Sequence, residues 1–422
     1  MTALLRSLHT AVPHTVLYQE EVRDVLAAQP GLSRLGTRLI TAAFNASGIE
    51  RRHTVVEEWQ DGGRGTGSGA GTFFDPETGH ILNPSTGVRN TVFTDHANDL
   101  YERAARGALG GCPDLGPEDV THVITVSCTG FFSPGPDYQL VRRLGLAATT
   151  KRIHLGFMGC YAAIPALREA AALCEADPAA VVLVVSAELC TVHVRVANDQ
   201  DTIVGASLFS DGAGAAIVTG ENTEVSTGKN TGKRGPAEGA TAGGTGTGRT
   251  PALRLDGFAT VLTPVGEEAM AWNIGDHGFE MILGTYVPHI IDEHITGALE
   301  PLLAAEPELA ARPYTELEHW AIHPGGRSIL DKVQARLELT DAQLEPARDT
   351  LRDYGNMSSA TVLFVLQRIL ERAGEVGQDG QDGQGGAGTR AGTRAGSDGE
   401  RVCAMAFGPG LTVESALMTL VG

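Results

Sequence analysis

Apolar runs rich in valine, isoleucine and leucine alternate with stretches of helical periodicity along most of the chain. The runs are short and rich in β-branched residues, so they predict buried β-strands between helices. The clearest of them lie at residues 120–126, 180–186, 213–218, 317–322, 402–407 and 411–417. Buried strands that alternate with helices are typical of the α/β fold class, which we therefore predict.

Three polar, glycine-rich segments interrupt this alternation at residues 61–71, 226–251 and 374–400. Their composition offers too little apolar surface to offset the entropy lost on ordering, so we interpret them as surface insertions. None has the strand, glycine loop and helix spacing of a phosphate-binding motif. Apart from the insertions, the chain forms two halves of similar character, 1–222 and 252–422, separated by an insertion at 223–251.

Composition narrows the class of protein. A chain of 422 residues with 42% hydrophobic content can bury a large core. The formal charge of −19 argues against a nucleic-acid-binding protein, which needs a concentrated basic surface. Six cysteines without a C-x-x-C pair indicate neither a zinc site nor a disulfide framework, and they favour the reducing cytoplasm. Since no leader-like or long apolar run is found, we expect neither export nor a membrane span.

Cys160 is the first candidate for chemistry. It follows a strand-like run that ends near Leu155, and it precedes an apolar helix predicted to extend to about Cys174. A thiol at the start of a buried helix meets the positive end of the helix dipole and unpaired N–H groups, which favour the thiolate. Cys160 is therefore a candidate nucleophile, although a buried structural cysteine fits the same position.

Two polar residues in the second half complete a possible catalytic set. His323 follows the predicted strand 317–322, and Asn356 opens the apolar helix that begins near Thr361. A core histidine and a helix cap are the ordinary explanations for these two residues. Together with Cys160 they offer a nucleophile, a base and an amide donor for a developing oxyanion.

Four motifs in this order carry a resemblance to a known family. They are Gly159-Cys160, Ile322-His323-Pro324-Gly325-Gly326, Tyr354-Gly355-Asn356-Met357-Ser358-Ser359-Ala360 and Phe407-Gly408-Pro409-Gly410-Leu411-Thr412-Val413-Glu414. With them the chain resembles the type III polyketide synthases, the chalcone-synthase-like branch of the thiolase superfamily. The resemblance implies a thiolase-like layered αβαβα fold built from two related halves.

The resemblance also implies a reaction. Cys160 would accept an acyl group from an acyl-CoA starter, and His323 would generate or stabilise its thiolate. His323 and Asn356 would then hold the thioester oxygen of malonyl-CoA while carbon dioxide leaves. The family's reaction needs no metal or redox cofactor beyond the CoA thioesters that are its substrates, and family members are homodimers.

Cavity residues follow from the same resemblance. Phe209 and Phe279 match aromatic residues at the junction between the cavity and the CoA tunnel. The matched wall positions are Cys128, Thr129, Cys190, His193 and Ser358. Members with aromatic substrates carry Thr or Ser where Cys128 and Cys190 stand, so a coumaroyl-type starter is not expected.

Arg51 and Arg52 fall where the family places basic residues for the CoA phosphates. A solvated surface pair explains these two arginines equally well.

The function we expect is a type III polyketide synthase that releases an alkylpyrone or a small phenolic. A ketoacyl synthase of the initiating type, which uses a malonyl carrier protein, has the same three residues and stays an alternative. A thiolase-fold binding protein without catalysis would predict damage to Cys160, His323 or Asn356, and all three are present. Starter length, the number of extensions and the mode of cyclisation are left open by the sequence.

Overall fold

The computed structural model describes residues 2–59, 71–221, 223, 251–379 and 398–422. Most of each predicted insertion, namely residues 61–70, 226–250 and 380–397, lies outside the described residues. The strands are β1 (Ala3–Ala11), β2 (Thr15–Tyr18), β3 (Arg51–Thr54), β4 (Phe74–Asp75), β5 (His80–Ile81), β6 (His122–Ser127), β7 (Lys151–Gly156), β8 (Val181–Leu189), β9 (Asp211–Gly220), β10 (Ala252–Leu262), β11 (Met270–Gly275), β12 (Gly278–Leu283), β13 (His319–Ile322), β14 (Arg401–Gly408) and β15 (Thr412–Val421). The helices are α1 (Gln19–Ala27), α2 (Arg34–Ala46), α3 (Thr86–Gly110), α4 (Pro136–Leu144), α5 (Ala163–Ala176), α6 (Gln200–Leu208), α7 (Val287–Leu303), α8 (Pro307–Ala310), α9 (Arg327–Leu337), α10 (Asp341–Tyr354) and α11 (Thr361–Asp379).

Nine strands form one mixed sheet in the order β13-β14-β15-β10-β1-β9-β8-β6-β7. In the first half, β6 is parallel to β8, β8 is antiparallel to β9, and β9 is antiparallel to β1. In the second half, β13 is parallel to β14, β14 is antiparallel to β15, and β15 is antiparallel to β10. The same order of strand pairings thus occurs in each half, and the two halves of the sheet join where β1 pairs with β10.

Strand β8 shows why the predicted runs lacked polar positions. Val182 and Val184 face the hydrophobic cluster that contains α5 and α11, whereas Val181, Leu183 and Val185 face the cluster that contains α3. Successive side chains of a strand point to opposite faces, so a sheet covered by helices on both sides requires continuous apolar strands. Helices therefore lie on both faces of the sheet, in a layered α/β arrangement.

All six predicted strands are present, with ends that shift by up to a few residues. Helix α11 continues to Asp379, so it extends into the segment 374–400 that we interpreted as an insertion. No helix in the described ranges is long and apolar enough to cross a membrane.

Candidate active site

A tight turn between β7 and α5 fixes Cys160. Phe157 and Gly159 have φ angles of 62° and 80°, in the left-handed region that glycine adopts readily. A Cβ atom on Gly159 would lie 2.4 Å from Cδ of Pro409, so only glycine fits there. The turn holds the Cys160 thiol at the wall of a cavity.

His323 directly follows β13, where its main-chain N–H extends the pairing with β14 by donating to the carbonyl of Met405 at 2.8 Å. Its side chain is 1% exposed, and neither ring nitrogen has a hydrogen-bond partner among the described residues. Burial lowers the pKa of His323 to about 3, so the imidazole is neutral at neutral pH. A buried histidine with two free ring nitrogens is not the satisfied core histidine that the sequence left open.

Asn356 occupies the loop between α10 and α11. Its side-chain Oδ1 accepts a hydrogen bond from the main-chain N–H of Ser358 at 2.8 Å, which orients the amide. Its Nδ2 donates to the carbonyl of Gly325 at 3.3 Å, and Gly325 in turn donates its N–H to the carbonyl of His323 at 2.9 Å. The loops that carry Asn356 and His323 are therefore joined directly.

Ser358 connects Asn356 to the thiol. Its hydroxyl donates to Sγ of Cys160 at 3.5 Å and also lies 3.2 Å from Sγ of Cys128. Hydrogen bonds from Ser358 and from the Asn356 amide both act to lower the pKa of Cys160. Contacts thus run from Cys160 through Ser358, Asn356 and Gly325 to the loop of His323.

The expected preference of Cys160 for the thiolate requires a correction. Burial raises the pKa of its thiol to about 11, and this effect exceeds those of the hydrogen bonds from Ser358 and Asn356. Helix α5 begins only at Ala163, so Cys160 lies before its first turn. Burial thus favours the neutral thiol, which a base must deprotonate before the sulfur can attack.

The Cys160 cavity encloses about 370 Å³ of empty space, its open side included. Six of the predicted residues line it: Cys128, Thr129, Cys160, Cys190, Phe209 and Ser358. Bulky residues that the sequence did not suggest form another part of its wall, namely Met270, Trp272 and Met281. These three belong to β11 and β12, which pair with each other as a two-stranded hairpin.

A second cavity of about 390 Å³, also counting its open side, lies behind this wall. Phe209, Trp272, Cys190 and Met281 line both cavities, so their side chains separate the two spaces. Phe279 lines only the second cavity, where its ring lies 5.9 Å from that of Trp272. The indole N–H of Trp272 donates to the carbonyl of Cys128 at 2.8 Å, which fixes the partition.

His193 supports the partition from the second cavity. Its Nδ1 accepts the main-chain N–H of Phe279 at 3.1 Å, so the proton resides on Nε2, which donates to the carbonyl of Thr129 at 2.8 Å. The ring stacks on Phe279 with centroids 4.2 Å apart. Burial lowers the pKa of His193 to about 3. A neutral ring with both nitrogens engaged forms a wall of the cavity and offers no hydrogen bond to a ligand.

The two adjacent arginines are not equivalent. Arg51 is half exposed and lies 3.8 Å from Asp353. Arg52 is 2% exposed and donates to the carbonyls of Ala206 and Phe209. The prediction of Arg52 as a CoA-phosphate contact fails because alternate residues of β3 face opposite sides and Arg52 points inward.

Glu188 was missed by the sequence analysis. It is fully buried and accepts hydrogen bonds from the N–H of Cys128 at 2.9 Å and from the hydroxyl of Thr129 at 2.7 Å. The hydroxyl of Ser359 donates to its other oxygen. Burial raises the pKa of this carboxyl group, against the hydrogen bonds that lower it. The sequence did offer a sign of its importance, since Glu188 is a lone acidic residue near the end of the apolar strand β8, where acidic side chains are rarely buried.

A metal site is not found in the described ranges, where no group of three or more His, Cys, Asp or Glu side chains is placed to hold an ion.

Comparison with known proteins supports the resemblance. Residues 73–222 match the family model of the N-terminal domain of chalcone and stilbene synthases, and residues 255–422 match that of the C-terminal domain. The chain is 30% identical over 301 residues to type III polyketide synthase 10 of Oryza sativa subsp. japonica, which covers 71% of this chain and 65% of the rice protein. The match thus spans slightly less than two thirds of that relative.

Solved structures share the fold over the full chain. PKS-I from the brown alga Ectocarpus siliculosus has a TM-score of 0.80 at 24% identity and covers 100% of this chain and 98% of its own. The C-terminal type III polyketide synthase domain of Steely1, a type I/III hybrid from Dictyostelium, has a TM-score of 0.78 at 24% identity and covers 100% of both chains. At this level of identity the likeness establishes the thiolase-like fold.

Replacing His323 tests whether the thiol needs it as a base. In His323→Gln only burial and hydrogen bonds act on Cys160, so we expect alkylation by iodoacetamide at neutral pH to slow by about tenfold or more. The pH at which the rate rises should also move upward. The measurement is the rate of Cys160 modification against pH by peptide mass spectrometry, and identical profiles for variant and wild type would exclude His323 as the base.

Proposed function

Because the chain belongs to the chalcone and stilbene synthase family, the type III polyketide synthases, we propose that it loads an acyl-CoA starter on Cys160 and extends it with malonyl-CoA. The observation that carries the proposal is the buried His323, whose two ring nitrogens are unpartnered, in a loop joined to the Asn356 amide beside Cys160. The two ring nitrogens of His323 are unused by the fold and available to a substrate.

Loading begins with a proton transfer. A ring nitrogen of His323 takes the Cys160 proton, and Sγ attacks the thioester carbonyl of the acyl-CoA. The bond from that carbonyl to the CoA sulfur breaks, and the leaving thiolate takes the proton from the imidazolium. Burial penalises each isolated charge, but a thiolate and an imidazolium formed together in one cavity attract each other. The transfer and the loss of CoA leave an acyl-Cys160 thioester and a neutral His323.

Extension uses the same histidine as a donor. The remaining N–H of neutral His323 and Nδ2 of Asn356 donate to the thioester oxygen of malonyl-CoA. The bond to the carboxylate breaks, carbon dioxide leaves, and its electron pair forms the enolate that the two donors stabilise. The enolate carbon attacks the acyl carbonyl, and the Cys160 thiolate departs. The lowered pKa of His323 keeps it neutral for this step.

We further propose that the products are small, either alkylpyrones or small phenolics. The wall of Met270, Trp272 and Met281 restricts the space next to the acyl-Cys160. A chain held there folds back on itself after few extensions, and cyclisation releases it. Short acyl-CoA starters fit this space best.

A homodimer is the proposed assembly. Strand β7 ends the nine-stranded sheet, and its residues Lys151 to His154 are exposed. Phe131 and Tyr138 near this edge are also exposed. An uncovered edge strand with apolar neighbours is a template for pairing with a second copy of the chain.

Mass spectrometry of the purified protein with a panel of acyl-CoA starters tests the function. We expect acylation of Cys160 by short starters, followed by pyrones or phenolics when malonyl-CoA is added. The matched incubation supplies malonate on a carrier protein instead. Extension only with carrier-bound malonate would assign the chain to ketoacyl synthesis, and absence of acyl-Cys160 with every starter would contradict the loading step.

Replacing Trp272 tests the control of product size. Trp272→Leu should join the two cavities and raise the preference for octanoyl-CoA over acetyl-CoA, measured as a ratio of kcat/KM, by about tenfold. The matched control Trp272→Phe keeps most of the ring but loses the hydrogen bond to Cys128, and its preference should change less. Equal ratios in Trp272→Leu and wild type would show that the indole does not limit the chain.

A further inference from the structure

The buried guanidinium of Arg52 and the main chain of Asn356 both donate hydrogen bonds to the C-terminal end of α6. A helix leaves its last four carbonyls without partners inside the helix. Those of α6 are satisfied in turn by the N–H of Phe209, the side chain of Arg52, the side chain of Gln19 and the main-chain N–H of Asn356. The Asn356 N–H donates to Leu208 O at 2.9 Å.

Arg52 holds this helix end at two points. Its Nη1 donates to Ala206 O and to Phe209 O, both at 2.8 Å. The guanidinium carbon also lies 5.6 Å from the ring centroid of Phe44. Burial lowers the pKa of Arg52 to about 10, with the Asp211 carboxylate opposing, so the side chain stays a cation at neutral pH. A cation at the carbonyl end of a helix is favourable.

The stem of Arg52 also packs against the residue that precedes Asn356. Gly355 has a φ of 71°, and a Cβ atom there would lie 2.9 Å from Cγ of Arg52 and 3.0 Å from Leu208 O. Ser210 donates its N–H to Asn356 O at 2.9 Å, so the main chain of Asn356 is paired on both sides with the segment that Arg52 holds.

We propose that Arg52 is a positioning residue that sets the place of Asn356 and Phe209 by clamping the C-terminal end of α6. Arg52 touches neither the Cys160 cavity nor solvent. Its loss frees two buried carbonyls and loosens the strand-like pairing between residues 208–210 and Asn356. Lysine cannot replace it, because its ammonium ends one bond short of the position of Nη1, from which both carbonyls are reached.

The kinetic part of this inference rests on the proposed function. For Arg52→Lys and Arg52→Met we expect kcat for malonyl-CoA decarboxylation to fall by about tenfold to a hundredfold, with KM changed less. The same fall should occur with malonyl-N-acetylcysteamine, a truncated thioester without phosphates. Acylation of Cys160 by a starter, in which Asn356 is not proposed to bind the substrate oxygen, should be reduced much less.

Arg51→Met is the matched comparison, since Arg51 neighbours Arg52 but faces solvent. Arg51 is predicted to contact the CoA phosphates, so we expect Arg51→Met to raise KM for malonyl-CoA. If Arg52 contacted CoA phosphates instead, its variants would raise KM for malonyl-CoA in the same way. With the truncated thioester, which has no phosphates, they would then decarboxylate at the wild-type rate. That result would overturn the positioning role.

Amide hydrogen exchange gives a readout that does not depend on activity. The N–H groups of Asn356 and Ser210 should exchange faster in Arg52→Lys and Arg52→Met than in wild type, while Arg51→Met leaves them protected. Unchanged protection in both Arg52 variants would refute the clamp. A wild type that does not decarboxylate malonyl-CoA would contradict the proposed function, and the exchange rates would still decide the role of Arg52.

Discussion

The pairing between the end of α6 and Asn356 is the constraint on which the site depends. Two main-chain hydrogen bonds of 2.9 Å join Leu208 and Ser210 of the first half to Asn356 of the second. They bring the thiol of one half within reach of the amide of the other, because Ser358 follows Asn356 by two residues and contacts Cys160. Main-chain bonds suit this purpose, since they fix the loop without occupying the Asn356 amide. Among the described residues, Nδ2 of Asn356 donates to the carbonyl of Gly325, and its second N–H, beside Cys160, remains for an oxyanion.

Burial supplies the electrostatics of the site. It raises the pKa of the Cys160 thiol and lowers that of His323, so both groups are neutral at rest. A neutral histidine can accept a proton at one nitrogen and donate a hydrogen bond from the other, which is what the proposed loading and extension steps require of His323. In the proposed reaction, charge therefore forms only as a pair, the Cys160 thiolate with the His323 imidazolium, or on a bound thioester.

The sequence predicted the strands, and it singled out three candidate reactive residues, because continuous apolar runs and the residues that follow them depend on local pattern. It failed where tertiary packing decides. Two adjacent arginines look alike in the sequence, yet the alternation of β3 turns Arg52 inward. Trp272 lies in a short hairpin whose pattern gave no sign that it faces a cavity. The protonation of Cys160 depends on the depth of its burial, which the position of a helix start does not reveal.

We propose above all that His323 and Asn356 hold malonyl-CoA independently of the nucleophile. This proposal is tested by the conversion of malonyl-CoA to acetyl-CoA and carbon dioxide by Cys160→Ala, compared with Cys160→Ala combined with Asn356→Ala. We expect the single variant to decarboxylate malonyl-CoA without forming condensation products, and the added change to slow decarboxylation by about a hundredfold. Equal rates in the two variants, or no decarboxylation by Cys160→Ala, would contradict it.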